Sequence, residues 1–387
     1  MKLLYVASDQ RVPGRTGGSV HVEEVARGLA ERGHEVHVLA LAGERRTNGA
    51  LSPYELHPSR LPFESRWFRW TLRRQVEALL SELGIEAVME RYYNFGGEGV
   101  RAAYARGIPS LLEVNSPILD HPGSLKRVLD RALLFRPLRR IREELVRKAS
   151  ALVTPLPSIV PGDVPSEKVH RVHWGANVER FRPDVQRKRL AIPESARVVV
   201  FSGSFRPWHG SDLLVRAAAR VLSKEPQGFF LFVGSGPVWE KSRDLAKSLG
   251  IESAVLFTGP VAYEEMPSYL RGAQIGVAPY QPSRLGQMKL GFYWSPLKIF
   301  EYMATALAVV TLDAPPLAEI VRPGKEGLLV AEGDEEALAN AIATLLADPE
   351  RARTMGLSGR ERVVASFSWQ SHCEQLEGIL RELVSGR

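Results

Sequence analysis

With a single cysteine, Cys373, in 387 residues, the chain cannot be held by internal disulfides, and its composition fits a reducing compartment. No window approaches the ~18 consecutive apolar residues of a membrane-spanning helix. Met1-Lys-Leu-Leu-Tyr-Val-Ala-Ser8 has too short an apolar run for a secretory leader and reads as a first β-strand. A soluble, cytoplasmic protein is expected. Low-complexity tracts and short-period repeats are missing as well. Several chemical motifs are absent, which narrows the function. There is no Gly-x-Ser-x-Gly elbow or Cys/His pairing for covalent hydrolysis. No Gly-x-Gly-x-x-Gly follows the first strand, which speaks against a nicotinamide dehydrogenase. No Asp-x-Asp stands at a strand end and no His/Asp/Glu group has metal-ligand spacing, so no metal and no cofactor are expected.

What the chain does contain is a regular alternation of short β-rich runs and helical patterns. Leu3–Ala7, Val36–Ala40, Ala87–Met89, Leu111–Val114, Ala151–Thr154 and Val169–His173 read as strands of a first half. Val198–Phe201, Phe229–Val233, Val255–Thr258, Ile275–Ala278, Val309–Leu312 and Leu328–Val330 read as strands of a second. Helices are expected over Val20–Arg32, Ser211–Leu222, Val238–Leu249, Glu335–Leu346 and Ser371–Val384. This rhythm implies parallel sheets covered on both faces. A chain of this length exceeds the roughly 250 to 300 residues at which single cores stop growing, so two domains are expected, with the rhythm broken near Val178–Arg189.

The formal charge of +7 is uneven, with 27 Lys+Arg against 21 Asp+Glu in residues 1–180 and 24 against 23 in the remainder. Ser124–Ala149 holds nine basic and three acidic residues among apolar ones, and Arg66-Trp-Phe-Arg-Trp-Thr-Leu-Arg-Arg74 is a second basic amphipathic segment. Either can be a solvated face; the sharper reading is a surface for anionic lipid headgroups.

The strongest chemical signal is Ser295-Pro-Leu-Lys-Ile-Phe-Glu-Tyr-Met-Ala304. Ser295 is expected to cap a helix and Pro296 to occupy its first position, so that the amides of Leu297 and Lys298 point outward beside a full positive charge. A helix N-terminus with a lysine is an anion site, and Glu301 lies within reach of a ribose diol beyond it. The run resembles the nucleotide-sugar signature of the family-4 (group 1, retaining) glycosyltransferases of GT-B fold, in a Ser-Pro-Leu-Lys-x-Phe-Glu-Tyr-Met-Ala variant, and the likeness extends over essentially the whole chain.

The resemblance implies an α/β protein with two Rossmann-like domains whose parallel sheets face each other across a cleft. The expected parts are an acceptor-side domain at 1–177, a nucleotide-sugar domain at 178–370, and a last helix at 371–387 that packs back on the first. It further implies donor contacts from Gly17 and Gly18 in Thr16-Gly-Gly-Ser-Val-His21, a segment that opens a helix capped by Ser19. In Phe201-Ser-Gly-Ser-Phe-Arg-Pro-Trp-His-Gly210 the family's Arg and Lys are replaced by Ser204 and His209, with Arg206 displaced by two positions; Arg206 and His209 are then the diphosphate contacts. His209 would carry a pH-dependent charge, while that of Lys298 would not change near neutrality. Gly234 and Val261 would flank the base, and Leu297, Lys298 and Glu301 would complete the donor site. The family's first signature Glu is missing; Tyr293 stands eight residues before Glu301.

For the acceptor, Arg91, Asn115 and His121 follow first-domain strands, and the Glu90 and Glu113 side chains are expected to project into the cleft. No nucleophile is assigned; Asn115 and His121 are the candidates for catalysis. The resulting expectation is a metal-independent, retaining glycosyltransferase that moves a sugar from a nucleoside-diphosphate donor to a glycan or lipid-linked acceptor in cell-envelope or glycolipid synthesis. It would lie at the inner face of the membrane, with no nucleic-acid partner. The alternatives are a non-catalytic GT-B regulatory subunit that binds nucleotide-sugar, and a nucleotide-sugar epimerase.

Overall fold

The computed structural model describes residues 1–387 apart from 15, 44–51, 94–95, 119–127, 129–131, 133–136, 286–291, 294 and 387. The chain forms two compact units. One comprises Met1–Trp174, Tyr293–Ser295 and Trp369–Arg387; the other comprises Gly175–Phe292 and Pro296–Ser368.

The first unit is built on seven strands, β1 (Lys2–Val12), β2 (Glu35–Ala42), β3 (Glu55–Pro58), β4 (Ala87–Arg91), β5 (Ser110–Glu113), β6 (Ala151–Thr154) and β7 (Val169–Arg171). All pair in parallel, in the order β3-β2-β1-β4-β5-β6-β7. Its described helices are α1 (Gly17–Glu31), α2 (Arg73–Leu83), α3 (Glu98–Ala105), α4 (Pro137–Lys148) and the chain-terminal α12 (Trp369–Ser385). Leu4, Val6, Leu39 and Val88 of the strands meet Val76, Leu79 and Leu80 of α2 in its core. Helix α12 lies on α1, where a side chain at Gly28 would run into the Cys373 sulfur at 2.5 Å and where Arg32 and His34 pair with Glu377.

The second unit holds β8 (Arg197–Ser202), β9 (Gly228–Val233), β10 (Val255–Gly259), β11 (Ile275–Ala278), β12 (Ala308–Leu312) and β13 (Gly327–Val330), again all parallel, in the order β10-β9-β8-β11-β12-β13. Its helices are α5 (Ser211–Lys224), α6 (Trp239–Ser248), α7 (Met266–Leu270), α8 (Leu297–Ala304), α9 (Leu317–Ile320), α10 (Glu335–Ala347) and α11 (Pro349–Ser366). Strands such as Gly-Phe-Phe-Leu-Phe-Val are buried along their whole length because helices cover both faces.

Both sheets wind outward from a central strand, reverse, and continue on its other side. The reversal falls between β1 and β4 in the first unit and between β8 and β11 in the second. In an open parallel sheet the loops diverge at that point, leaving a crevice beyond the carboxyl ends of the strands.

Candidate active site

In the second unit the crevice is occupied by Lys298, which enters from the first turn of α8. Its ammonium is nine-tenths buried and forms no hydrogen bond among the described residues. It lies 4.3 Å from the ring centre of Phe201, at the end of β8, and 5.4 Å from that of Tyr280, just past β11. Two ring faces replace only part of the lost hydration. Burial accordingly brings the lysine pKa down to about 7, with the Glu301 carboxylate pulling it upward. The expectation that the charge of Lys298 is independent of pH near neutrality is therefore corrected.

Around the ammonium the chain is arranged to leave room. Gly203 has φ near +118°, which only glycine adopts readily, and a Cβ there would sit 3.3 Å from Lys298 Nζ. The Tyr302 hydroxyl accepts from the Ser202 amide at 2.8 Å and fixes the end of β8. Half-buried His209 stands edge-on to Tyr280 and donates from Nδ1 to the Ser204 carbonyl. Its pKa is pushed far down, first by loss of water, then by the Lys298 ammonium and by Arg206. Near pH 7 it is a neutral donor, so the titratable charge of this site belongs to Lys298. Arg206 is exposed. Gly234 follows β9, with its amide donating to the Gly259 carbonyl, and a Cβ on it would collide with the Gly203 carbonyl. Val261 is half-buried in the loop after β10.

Pro296, not Ser295, is the N-cap of α8, and no side chain caps the helix. Ser295 Oγ instead accepts from the Trp174 amide at 2.8 Å within the first unit. The amides of Leu297 and Lys298 precede the first intrahelical bond, from Ile299 to the Pro296 carbonyl. This leaves an anion site of helix dipole plus lysine, with Glu301 buried on the same helix.

In the first unit Thr16, not Ser19, caps α1, accepting from the Ser19 amide at 3.2 Å, so Gly17 and Gly18 belong to the first helical turn. A Cβ on Gly18 would collide with Gln10 Oε1 and come within 3.7 Å of Arg91 Nη2. Glu90 and Glu113 do not project freely. Glu90 is fully buried against Arg69, which also binds Asp9 and Glu98 at 2.9 Å each. Glu113 accepts from Tyr5 at 2.5 Å and pairs with His21 at 3.0 Å, and although burial alone would raise its pKa, His21, Arg91 and Tyr5 bring it to about 2. Arg91 Nη1 is 3.9 Å from Glu113 and makes no hydrogen bond. Asn115 accepts from the Trp174 indole at 3.1 Å, and its Nδ2 is unpartnered. His121 lies outside the described residues.

Sequence spacing missed four groupings that only the fold creates. Phe201 and Tyr280 turn their rings to Lys298. Arg69 gathers three acids. His21, Glu113 and His372 converge to within 4.8 Å of one another, and His37, Glu55 and His57 do the same. The absence of metal-like spacing in the sequence thus did not mean an absence of such clusters. Little in the sequence could have signalled these groupings, since their members are up to hundreds of residues apart.

Two all-parallel α/β units in one chain, the second with a candidate anion site at its strand reversal, are the architecture of the GT-B fold. Two family models match, "Glycosyltransferase Family 4" over residues 15–180 and "Glycosyl transferases group 1" over residues 196–348. The chain belongs to the group 1, family-4 glycosyltransferases, enzymes that move a sugar from a nucleotide-sugar donor. A D-inositol 3-phosphate glycosyltransferase of Thermobispora bispora is 29% identical over 97% of this chain and 92% of its own length. A GDP-mannose-dependent alpha-(1-6)-phosphatidylinositol monomannoside mannosyltransferase of Mycobacterium tuberculosis is 31% identical over 56% of this chain and 57% of its own. Among solved structures, a sucrose-phosphate synthase from Thermosynechococcus elongatus superposes with a TM-score of 0.75 over the full length of both chains at 21% identity. Anabaena HepE in complex with UDP superposes at 0.73 over 99% of this chain and all of its own, at 17% identity. These likenesses favour a transferase over a binding subunit or an epimerase.

Proposed function

We propose that this protein transfers a sugar with retention of configuration, without a metal ion, from a nucleoside-diphosphate donor to a hydroxyl of a phosphorylated polyol or glycolipid acceptor. The observation that carries the donor half is the buried, unpaired Lys298 ammonium at the strand reversal, a charge that costs stability until an anion reaches it. In this reading the diphosphate lies on the start of α8 with Lys298, Arg206 and the His209 Nε2 edge around it, and Glu301 takes the ribose diol. As the bond from the sugar to phosphate breaks, these groups neutralise the leaving diphosphate. The acceptor oxygen bonds to the same face of the sugar, and its proton passes to the departing phosphate. Arg91 Nη1, which touches Glu113 only at 3.9 Å, and Asn115 Nδ2 are buried donors that make no hydrogen bond, and they suit a phosphate and a hydroxyl of the acceptor. The two relatives named above act, by their names, on an inositol phosphate and on a phosphatidylinositol glycolipid, which supports that acceptor class.

Docking on an anionic membrane surface belongs to the same proposal. Among the described residues no helix is long and apolar enough to cross a membrane. Phe63 is 91% exposed and Trp70 63%, with Trp67 and Phe68 also open and Arg66, Arg73 and Arg74 exposed among them. Phe63 and Glu64 hold φ near +50°, and fully buried Arg69 anchors the segment from behind. Such an aromatic tip rimmed by arginines suits a lipid interface.

The test is calorimetric titration with nucleotide-sugars, followed by assay of nucleoside-diphosphate release with and without inositol phosphates. Binding together with acceptor-dependent release supports the proposal. Binding without consumption of donor under any acceptor would favour a regulatory subunit.

A further inference from the structure

On one face of the sheet edge the sequence repeats a short pattern, Glu35-Val-His37 on β2 and Glu55-Leu-His57 on β3. The parallel register pairs His37 with Glu55 and Leu39 with His57. Residues two apart share a face, so four polar side chains gather where an edge strand meets its neighbour. His37 Nδ1 is 3.0 Å from His57 Nε2 and 3.3 Å from Glu55 Oε2, while His57 Nε2 is 3.8 Å from Glu55 Oε1. A tetrahedral ion with bonds of about 2.0 to 2.2 Å holds its ligands about 3.3 Å apart, inside that range. His37 Nε2 lies 3.1 Å from Glu35 Oε1, a contact that keeps the proton on Nε2 and turns the Nδ1 lone pair toward the cluster. His37 is buried, whereas Glu55 is exposed and His57 partly so, which leaves a way in and a fourth position for water. Glu82 of α2 favours positive charge at His57, while the Lys2 ammonium beside the cluster is paired with Glu35 at 3.3 Å.

We propose that His37 Nδ1, His57 Nε2 and the Glu55 carboxylate bind a zinc-class divalent cation that staples edge strand β3 to β2, with Glu35 orienting His37. Two imidazoles and one carboxylate select zinc, cobalt or nickel over magnesium or calcium, which prefer all-oxygen sites. The staple lies at the sheet edge of the first unit, whereas Lys298 belongs to the second.

The experiment uses the full chain without a polyhistidine tag, stripped with chelator and titrated with zinc, and with cobalt for its visible spectrum. One zinc per chain, four-coordinate cobalt bands, and a zinc-dependent rise in the thermal transition are expected. Glu55→Gln and His57→Gln should each abolish the cobalt bands, and Glu35→Gln should weaken zinc binding about 10-fold. Glu55 is exposed, so its variant keeps the test valid even where the histidine variant fails to fold. His372→Gln, in the buried His21 cluster, should leave the site intact. Absence of stoichiometric zinc, undiminished binding in Glu55→Gln, or loss only in His372→Gln would overturn the proposal.

Discussion

Replacing Lys298 by methionine should make the unliganded protein more stable near pH 6.5 and a poorer binder of nucleotide-sugar. Removal from water takes the lysine pKa from its ordinary 10.5 to about 7. At about 1.4 kcal/mol per pH unit, the folded state disfavours the charged form by up to about 5 kcal/mol. The unfolded lysine keeps its proton up to about pH 10.5, while the folded one releases it near 7. The penalty is therefore complete below about pH 7, shrinks as pH rises, and vanishes above 10.5. Methionine has a similar length and no charge, so Lys298→Met should recover about 2 to 5 kcal/mol at pH 6.5 and progressively less toward pH 10. Urea unfolding at the two pH values measures this.

Binding should change in the opposite sense. Loss of a charge-assisted contact to the diphosphate is worth about 1.5 to 3 kcal/mol, or about 10- to 100-fold in affinity. In the wild type a bound diphosphate raises the lysine pKa again, so binding takes up a proton and affinity falls as pH climbs above about 7. The methionine variant should show a flat profile. A nucleotide-sugar is the right probe, because its diphosphate is esterified at both ends and holds no proton near neutrality. A variant that is less stable at pH 6.5, or that binds as tightly as wild type, would refute the reasoning.

The Glu301 carboxylate raises the Lys298 pKa, so Glu301→Gln should lower it further and move the decline in donor affinity to lower pH, beyond the ~1.5 to 3 kcal/mol lost from its own contact with the ligand. Titrations from pH 6 to 8.5 that give an unmoved midpoint would separate Glu301 from the lysine. For the membrane surface, wild type should co-sediment with anionic but not neutral vesicles and be released by salt, and Phe63→Ser with Trp70→Ser should reduce binding more than Arg139→Gln with Arg140→Gln. Arg142 is buried and is not part of that surface. Equal binding to both vesicle types, or none, would return the aromatic segment to an ordinary exposed loop.

The amino-acid sequence by itself determined the class of fold, because uninterrupted apolar runs such as Phe229–Val233 can be satisfied only in sheets covered on both faces, and the spacing between them leaves room for crossover helices. Every strand read from such a run is present. What escaped were the elements without that pattern. Strand β3 is Glu-Leu-His-Pro, polar because it lies at a sheet edge, and α11 carries Gly356 and Gly359, which weaken a helical signal; a side chain at Gly356 would collide with the Ala306 carbonyl. Of the candidate site, the shared helix of Lys298 and Glu301 was legible, because a helix start fixes the spacing of its own residues within a few positions. Their electrostatic state was not. Whether a lysine titrates near 7 or 10.5 depends on which groups surround it, and Phe201 and Tyr280 meet it only once β8, β11 and α8 are packed together. The same holds for Ser295, which has the right chemistry for a cap but is engaged by Trp174, and for the histidine and carboxylate clusters, whose ligands are joined by strand register and helix packing rather than by neighbourhood in the chain.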